Sequence, residues 1–175
     1  MLAKYTTKNF KQTQKLGEDF TRFLLSPLFF SSFPRKRESR LKTWIPSQAG
    51  NDGCNKAVII GLTGNLGGGK TTFLQGFAKG LGIKEKILSP TFVILKRFVI
   101  PAKAGIQVRN FYHIDCYRLK KSEDILELGF GKIISDPKNI VAIEWPERIK
   151  KVLPKNTIFI DFKFVDEKTR EVNFK

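Results

Sequence analysis

Apolar residues along this chain follow two patterns, one typical of helices and one typical of strands. Helical spacing of apolar residues predicts a helix that ends near Leu25, after a short strand or extended lead from Tyr5, and a second helix over 71–80. Ser122 is the expected cap of a short helix that begins with two acids. Short runs of β-branched and aromatic residues predict strands at 57–63, 92–98, 110–115, 140–143, 158–164 and 171–174.

The order of these elements predicts an α/β fold. Strands that feed helices, followed by a late hairpin, are typical of a mixed β-sheet flanked by helices in a three-layer sandwich. A chain of 175 residues with 41% hydrophobic residues is long enough for one compact domain of this kind, which we expect to span residues 1–175.

Two segments interrupt the pattern. Residues 27–53 have no periodicity, and long structureless loops are unusual inside compact domains. Within them, 45–50 matches 100–105 as I-P-x-x-A-G, and both resemble peptides encoded by palindromic repeat elements that land inside bacterial genes. We therefore expect exposed insertions at 27–53 and 99–109, the second at the tip of a hairpin. The alternative for residues 35–42 is a dedicated basic arm that binds nucleic acid.

The formal net charge of the chain is +16, from 32 basic and 16 acidic residues. Such an excess usually indicates a polyanionic partner, most often nucleic acid. The first insertion carries five basic and two acidic residues and the second carries two basic residues, so the remainder would still be +11. The basic character therefore belongs mostly to the domain itself.

Cysteine usage and hydropathy predict the compartment. Cys54 and Cys116 are far apart and have no metal-ligand partners nearby, which fits a reducing cytosol. The apolar stretch 23–30 is too short to span a bilayer, contains a proline and lies too far into the chain for a usual signal peptide. We expect a cytoplasmic protein with no membrane association.

The stretch from Gly64 to Thr72 carries the strongest chemical signal, because it satisfies G-x-x-x-x-G-K-[ST], the pattern of a phosphate-binding P-loop. Glycines let consecutive backbone amides point at phosphate oxygens, and the helix that follows adds its positive end. Lys70 would reach the β- and γ-phosphates, and the Thr71 hydroxyl would join the shell of a Mg²⁺ ion. The competing interpretation is a flexible turn with a surface lysine.

A second group of residues lies at predicted strand ends. Glu144 directly follows an apolar strand, where an acid can hold the metal of a P-loop; the alternative is an ordinary solvated glutamate. Alternation places His113 and Asp115 on one face. Asp115 is a candidate for orienting the attacking water or binding Mg²⁺ through water, and His113 is either catalytic or structural. Arg118 would contact phosphate or pair with a carboxylate.

Five short motifs then occur in one order along the chain, and together they resemble the bacterial TsaE family of tRNA threonylcarbamoyladenosine biosynthesis ATPases. The resemblance runs from about Tyr5 to the C-terminus and skips both insertions. The motifs are Gly64 to Thr72, Ser89-Pro-Thr-Phe92, Tyr112-His-Ile-Asp-Cys-Tyr-Arg-Leu119, Glu127-Leu-Gly-Phe130 and Ile143-Glu-Trp-Pro146.

The resemblance implies a small single-domain P-loop ATPase that uses ATP and Mg²⁺. The family acts with TsaB- and TsaD-type partners, which install threonylcarbamoyl beside the anticodon of tRNAs that read ANN codons, and its ATP hydrolysis is thought to reset that complex. It implies Mg²⁺ on Thr71 and Glu144 and a role for Asp115 in hydrolysis. With the candidates from the sequence pattern, the expected catalytic set is Lys70, Asp115, Glu144 and His113. The nucleotide contacts that the resemblance implies are Gly67, Gly68, Gly69, Lys70, Thr71 and Thr72 at the phosphates, and Thr169 in the segment Thr169-Arg170 near the base.

The chain departs from the family at several positions. Asn65 and Gly68 replace the usual acid and alanine of the loop, and neither change removes a phosphate ligand. The stretch before Thr13 is less like the family, as is each insertion. Trp145 is either a packing or a partner residue, and Ser89 to Thr91 form either a nucleotide switch or a simple turn. Two other functions stay open: a P-loop small-molecule kinase, and a basic nucleic-acid-binding protein whose P-loop is structural or disabled.

Overall fold

A computed structural model describes residues 3–26, 56–88, 94–101 and 110–175. Its strands are β1 (Ala3–Thr7), β2 (Val58–Thr63), β3 (Leu95–Val99), β4 (Asn110–Asp115), β5 (Asn139–Glu144), β6 (Ile158–Phe164) and β7 (Arg170–Phe174). Its helices are α1 (Phe10–Leu24), α2 (Lys70–Gly80), α3 (Asp124–Glu127) and α4 (Phe130–Ser135), and a 3-10 helix, η1, covers Pro146–Val152. The α/β class and the mixed sheet predicted from the sequence are confirmed.

All seven strands form one sheet in the order β1-β7-β6-β2-β5-β4-β3. The central strand β2 pairs in parallel with β5 and β6, and β4 pairs in parallel with β5. The remaining pairs are antiparallel, including the predicted β6–β7 hairpin. The carboxyl ends of β2, β4 and β5 therefore meet at one edge, where ligands bind in open α/β sheets.

Helices cover both faces of the sheet. On one face, α1 and α2 pack through Phe20, Phe73 and Phe77 against strand residues such as Ile60. On the other face, α3, α4 and η1 contribute to a second core with neighbouring strand residues such as Ile59. Consecutive strand residues thus enter opposite cores, as the pleat requires, and the three-layer arrangement follows.

Two glycines set how closely α1 approaches α2. A Cβ added to Gly17 would lie 2.1 Å from the carbonyl oxygen of Phe73, and one added to Gly76 would lie 1.8 Å from that of Gln14. Thr21 adds a buried hydrogen bond from its hydroxyl to the carbonyl of Phe77, 2.9 Å long. The first helix, α1, is therefore held directly against α2, the helix that follows the P-loop.

Several sequence predictions need correction or lie outside the described residues. Ser122 does not cap α3: Glu123 precedes the helix with a helical backbone, and the Ser122 hydroxyl donates to the carbonyl of Arg148. In the segment expected as an exposed insertion at 99–109, Val99 ends β3 and Ile100 is 5% exposed in the core, while 102–109 lie outside the described residues. Outside the described residues lie the insertion at 27–53 with its basic run, Cys54 and the segment Ser89-Pro-Thr-Phe92.

The connection predicted at a hairpin tip does join β3 to β4, which pair antiparallel with Val99 opposite Asn110. Among the described residues, no helix is both long and apolar enough to pass through a bilayer.

Candidate functional site

The P-loop connects β2 to α2 at the carboxyl edge of the sheet. Gly64 has φ = 119°, a conformation that L side chains rarely adopt, and a Cβ there would lie 2.0 Å from the carbonyl oxygen of Phe162. Both the backbone conformation and the lack of space therefore exclude a side chain at this position. Gly67 has φ = 73° and faces open space, since an added Cβ would meet nothing within 4 Å. Gly69 is the N-cap of α2 and provides no side-chain hydrogen bond, which leaves the first amides of the helix available to an anion.

Lys70 is almost buried beneath this loop, with 5% exposure. Its ammonium donates to the carbonyl oxygens of Gly64 at 2.6 Å and Asn65 at 2.9 Å. Burial lowers the pKa of Lys70 below its usual value, while the negative charges of Glu144, Glu147 and Asp115 act in the opposite direction. A desolvated cation in such a position gains strongly when a phosphate group approaches it.

Glu144, the last residue of β5, is hydrogen-bonded to the helix that follows the P-loop. The Thr71 hydroxyl donates to Glu144 Oε1 at 3.0 Å and lies 3.3 Å from Oε2. Behind the carboxylate, His113 Nε2 lies 3.0 Å from Oε1, and the side chains of both residues are nearly inaccessible. A histidine tautomer with its proton on Nε2 can donate to a carboxylate oxygen in this geometry.

Asp115 ends β4 next to Glu144, because these two residues pair in the parallel β4–β5 register. The backbone amide of Tyr117 donates to Asp115 Oδ1 at 2.9 Å. Asp115 lines the same cavity as Glu144, whereas His113 does not line it. The structure thus separates the predicted pair: Asp115 faces the cavity and His113 supports Glu144 from within the sheet.

Trp145 follows Glu144 with φ = 58°, the one positive φ at a described residue that is not glycine. The Lys70 ammonium lies 4.3 Å from the centre of the Trp145 ring, and Tyr117 packs on the same ring at a centroid distance of 5.1 Å. Trp145 is therefore a packing residue of the site; the alternative role in partner contact stays a prediction.

A cavity of about 780 Å³ opens above this edge of the sheet. It is large enough for a nucleotide by comparison with ordinary ligand sites, which span roughly 300–1,000 Å³. Of the residues predicted from sequence, it is lined by Gly67, Gly68, Gly69, Lys70, Thr71, Thr72, Asp115, Arg118 and Glu144. Thr169 does not line it, although its neighbours Lys168 and Arg170 do.

Sequence reasoning missed the wall that α1 contributes. Asn9, Phe10 and Thr13 line the cavity, and Phe10 is 62% exposed, with an apolar face available to a base. The signal for this helix start was present: Asn9 caps α1 by accepting from the amide of Gln12, three residues later. The sequence could not show that α1 packs on α2, and this packing brings the Asn9 cap to the P-loop.

The donor set fits Mg²⁺ bound together with a nucleotide. No group of three or more His, Cys, Asp and Glu side chains in the described ranges is arranged to hold a metal ion alone. Mg²⁺ commonly takes only one or two protein oxygens and completes its shell with phosphate and water. The adjacent oxygens of Thr71 and Glu144 would supply such a pair.

Comparison with known proteins places the chain among its relatives. The profile of the family described as "Threonylcarbamoyl adenosine biosynthesis protein TsaE" matches residues 7–172. A Treponema pallidum protein named "tRNA threonylcarbamoyladenosine biosynthesis protein TsaE" is 36% identical over 114 residues, which cover 65% of this chain and 78% of the relative. A Rickettsia typhi protein of the same name is 37% identical over 118 residues, covering 67% and 76%.

A solved structure agrees with these sequences. The crystal structure of Bacillus subtilis YdiB matches with a TM-score of 0.65 and 25% sequence identity, covering 99% of this chain and 84% of that one.

Proposed function

The chain belongs to the TsaE family of threonylcarbamoyl adenosine biosynthesis proteins, and on that basis we propose that it is the Mg²⁺-dependent ATPase of the tRNA-modifying machinery. Its role is then in the biosynthesis of threonylcarbamoyladenosine, and its own reaction is the hydrolysis of ATP to ADP and phosphate. The contact between Thr71 and Glu144 carries this proposal, because it joins a P-loop hydroxyl to a strand-end carboxylate as a metal site requires.

Each wall of the cavity has a separate task in this proposal. The amides of Gly67 to Thr72 hold the phosphates, and Lys70 exchanges the carbonyls of Gly64 and Asn65 for phosphate oxygens. Thr71 and Glu144 hold Mg²⁺, which supplies charge neutralisation on the phosphates when bound. The base lies toward Phe10 and the tip of the β6–β7 hairpin, where Glu167 and Lys168 also line the cavity.

Asp115 is the residue best placed to orient the attacking water. It is a cavity-lining carboxylate at the end of β4, beside Glu144, and the Tyr117 amide fixes one of its oxygens. In hydrolysis the water oxygen bonds to the γ-phosphorus as the bond to the β–γ bridging oxygen breaks, and the products are ADP and inorganic phosphate. The transition state of phosphoryl transfer is loose, so the protein contributes mainly by positioning the reactants and stabilising the developing charge.

The assembly proposed for this ATPase follows its family. We propose that it acts in the cytoplasm with TsaB- and TsaD-like proteins and meets tRNA through that complex. Turnover alone should be slow, and the partner pair with tRNA should stimulate it. Part of the positive charge of the chain would then face a complex that contains RNA.

Phosphate release tests the proposal most directly. Wild type and Lys70→Ala are compared for inorganic phosphate released from ATP, alone and with the partner pair and tRNA, and Lys79→Ala serves as control. Lys79 is an exposed lysine in the last turn of the same helix. We expect turnover to be abolished in Lys70→Ala and retained in the control.

Wild-type turnover by Lys70→Ala would show that the site assignment is wrong. Transfer of the γ-phosphate to a metabolite in place of water would show that the protein is a kinase. RNA binding without any ATP binding would show that the P-loop is structural.

A further inference from the structure

One side chain ties the β6–β7 hairpin to the phosphate-binding loop. Arg170, the first residue of β7, donates from Nε to the carbonyl oxygen of Gly67 at 2.8 Å. The two residues are 103 positions apart in the chain. The contact is therefore a tertiary link between the cavity's glycine loop and its C-terminal wall.

The rest of the guanidinium is anchored on the hairpin itself. Its Nη1 donates to the carbonyl oxygens of Asp166 and Thr169, at 2.5 and 2.9 Å, and the group lies 4.5 Å above the ring of Phe164. A planar, rigid fork of donors is suited to bridging two backbone segments at once. None of the described acids forms an ion pair with Arg170 within 4.0 Å, so backbone carbonyls are its main partners.

The tip that anchors Arg170 is a well-formed turn. Asp166 Oδ1 accepts from the backbone amides of Lys168 and Thr169, at 2.9 and 2.7 Å. These hydrogen bonds lower the pKa of Asp166 below its usual value, and the nearby charge of Arg170 adds to the effect. The Val165 amide closes the turn on the carbonyl of Thr169. The hairpin thus offers a fixed support rather than a loose loop.

The peptide between Gly67 and Gly68 is held from both sides. Its carbonyl oxygen accepts from Arg170, and its N–H, that of Gly68, donates to the carbonyl of Asn65 at 3.1 Å. Side-chain packing cannot restrain Gly67, because it has no side chain and an added Cβ would meet nothing within 4 Å. Without the arginine, this part of the loop would keep one internal hydrogen bond and gain backbone freedom.

We propose that Arg170 is a positioning residue that clamps the Gly67 peptide, so that the phosphate-binding loop is held in shape before nucleotide arrives. The role rests on the proposed function and deepens it, because it makes the C-terminal hairpin responsible for the shape of the phosphate-binding loop. Preorganisation of this kind lowers the cost of ordering the loop on binding. Its effect should fall on nucleotide affinity and KM more than on kcat, because the loop is held equally in the ground and transition states.

Backbone hydrogen exchange of the full chain without nucleotide tests the clamp, with wild type, Arg170→Met, Arg170→Lys and Lys163→Met compared. Lys163 is an exposed base on the same hairpin and does not line the cavity. We expect exchange in residues 64–69 to become about tenfold faster in both Arg170 variants, as loss of a charge-assisted hydrogen bond implies. Lys163→Met should exchange like wild type.

Titration with ADP gives a second readout on the same variants. Arg170→Lys keeps the charge but not the fork, so it separates the clamp from simple attraction of phosphate. We expect the Kd for ADP to rise about tenfold in Arg170→Met, and by most of that factor in Arg170→Lys.

Wild-type exchange at 64–69 in Arg170→Lys would overturn the clamp, and so would faster exchange there in Lys163→Met. If Arg170→Met does not fold, Arg170→Lys decides. The exchange measurement needs no ATP hydrolysis, so it can support the clamp even if the proposed ATPase activity fails.

Discussion

His113 on β4 supports Glu144 on β5 through a 3.0 Å hydrogen bond between Nε2 and Oε1, and neither side chain is accessible to solvent to any real extent. The same carboxylate oxygen accepts from the Thr71 hydroxyl. The proposed metal ligand is therefore oriented from both sides, by a P-loop residue and by a residue of the neighbouring strand. Residues that orient metal ligands typically contribute 10–100-fold in metal affinity or activity.

We expect His113→Ala to raise the Mg²⁺ concentration required for half-maximal ATP turnover by about tenfold or more, because Glu144 loses its support. His113→Gln retains an N–H donor and should recover part of the loss. Magnesium titrations of ATPase activity measure both variants, and thermal unfolding in the absence of nucleotide serves as control for folding. Equal Mg²⁺ requirements in wild type and His113→Ala would show that the contact is only structural.

Glu144→Gln removes the charge of the proposed metal ligand and keeps its shape. We expect kcat to fall by about 100-fold or more, since the loss affects charge stabilisation in the transition state. Binding of ADP without Mg²⁺ should persist, because the P-loop amides remain. The matched control is Glu123→Gln, an exposed acid directly before α3, which should hydrolyse ATP like wild type. Unchanged Mg²⁺ dependence in Glu144→Gln would remove Glu144 from the metal site.

Much of this site could be predicted from the sequence, because its parts are local. The P-loop residues are consecutive, and Glu144 directly follows an apolar strand. Alternation also placed His113 and Asp115 on one face. It could not show that Glu144 lies beside Asp115 and within reach of His113, because that follows from the parallel register of β4 with β5.

The remaining parts depend on contacts between distant segments. Arg170 reaches Gly67 only because β7 returns antiparallel to β6, and Phe10 reaches the cavity only because glycines let α1 approach α2. No short-range sequence pattern indicates that Arg170 lies near Gly67 or that Phe10 lies at the cavity. The misplaced cap at Ser122 has a similar cause, since its hydroxyl is used by the carbonyl of Arg148, a residue of η1.

The close packing of α1 on α2 makes Gly76 sensitive to substitution. In Gly76→Ala the new methyl group would lie 1.8 Å from the Gln14 carbonyl oxygen, so the helices must separate. We expect a loss of about 3 kcal/mol in the free energy of unfolding, at the upper end for overpacked cores. Gly131→Ala, on α4, is the matched control, because its Cβ would meet nothing within 4 Å. It should be neutral or stabilising by up to about 1 kcal/mol.

Urea denaturation of the two glycine variants checks this pair of expectations. A Gly76→Ala protein as stable as wild type would show that the two helices can move apart without cost. Because α2 begins at Lys70, a shift of this helix would also reach the phosphate site.

Cys116 predicts how stability changes at alkaline pH. The residue is fully buried, and burial, with smaller contributions from the charges of Asp115 and Glu147, raises the pKa of its thiol from 9.0 to about 12. In the unfolded chain the thiol ionises near its ordinary pKa, so between about pH 9 and pH 12 the native state binds more protons than the unfolded state. The free energy of unfolding must therefore fall as pH rises through this window, by up to about 1.4 kcal/mol per pH unit from this group alone.

The comparison is made in a Cys54→Ser background, with and without Cys116→Ala, by urea denaturation at intervals from pH 8 to pH 11. Lysines and tyrosines also titrate in this range, but they are common to both proteins, so the difference between the two curves isolates Cys116. Cys116→Ala should be less stable at pH 8, where the buried side chain still packs in the core formed with Ile125, Phe130 and Ile149. Its disadvantage should shrink as the pH rises, because only the protein with Cys116 pays to keep the thiol protonated. A constant difference across the range would mean that the thiol ionises in the native state as easily as in the unfolded chain, and that the site beside Asp115 is open to water.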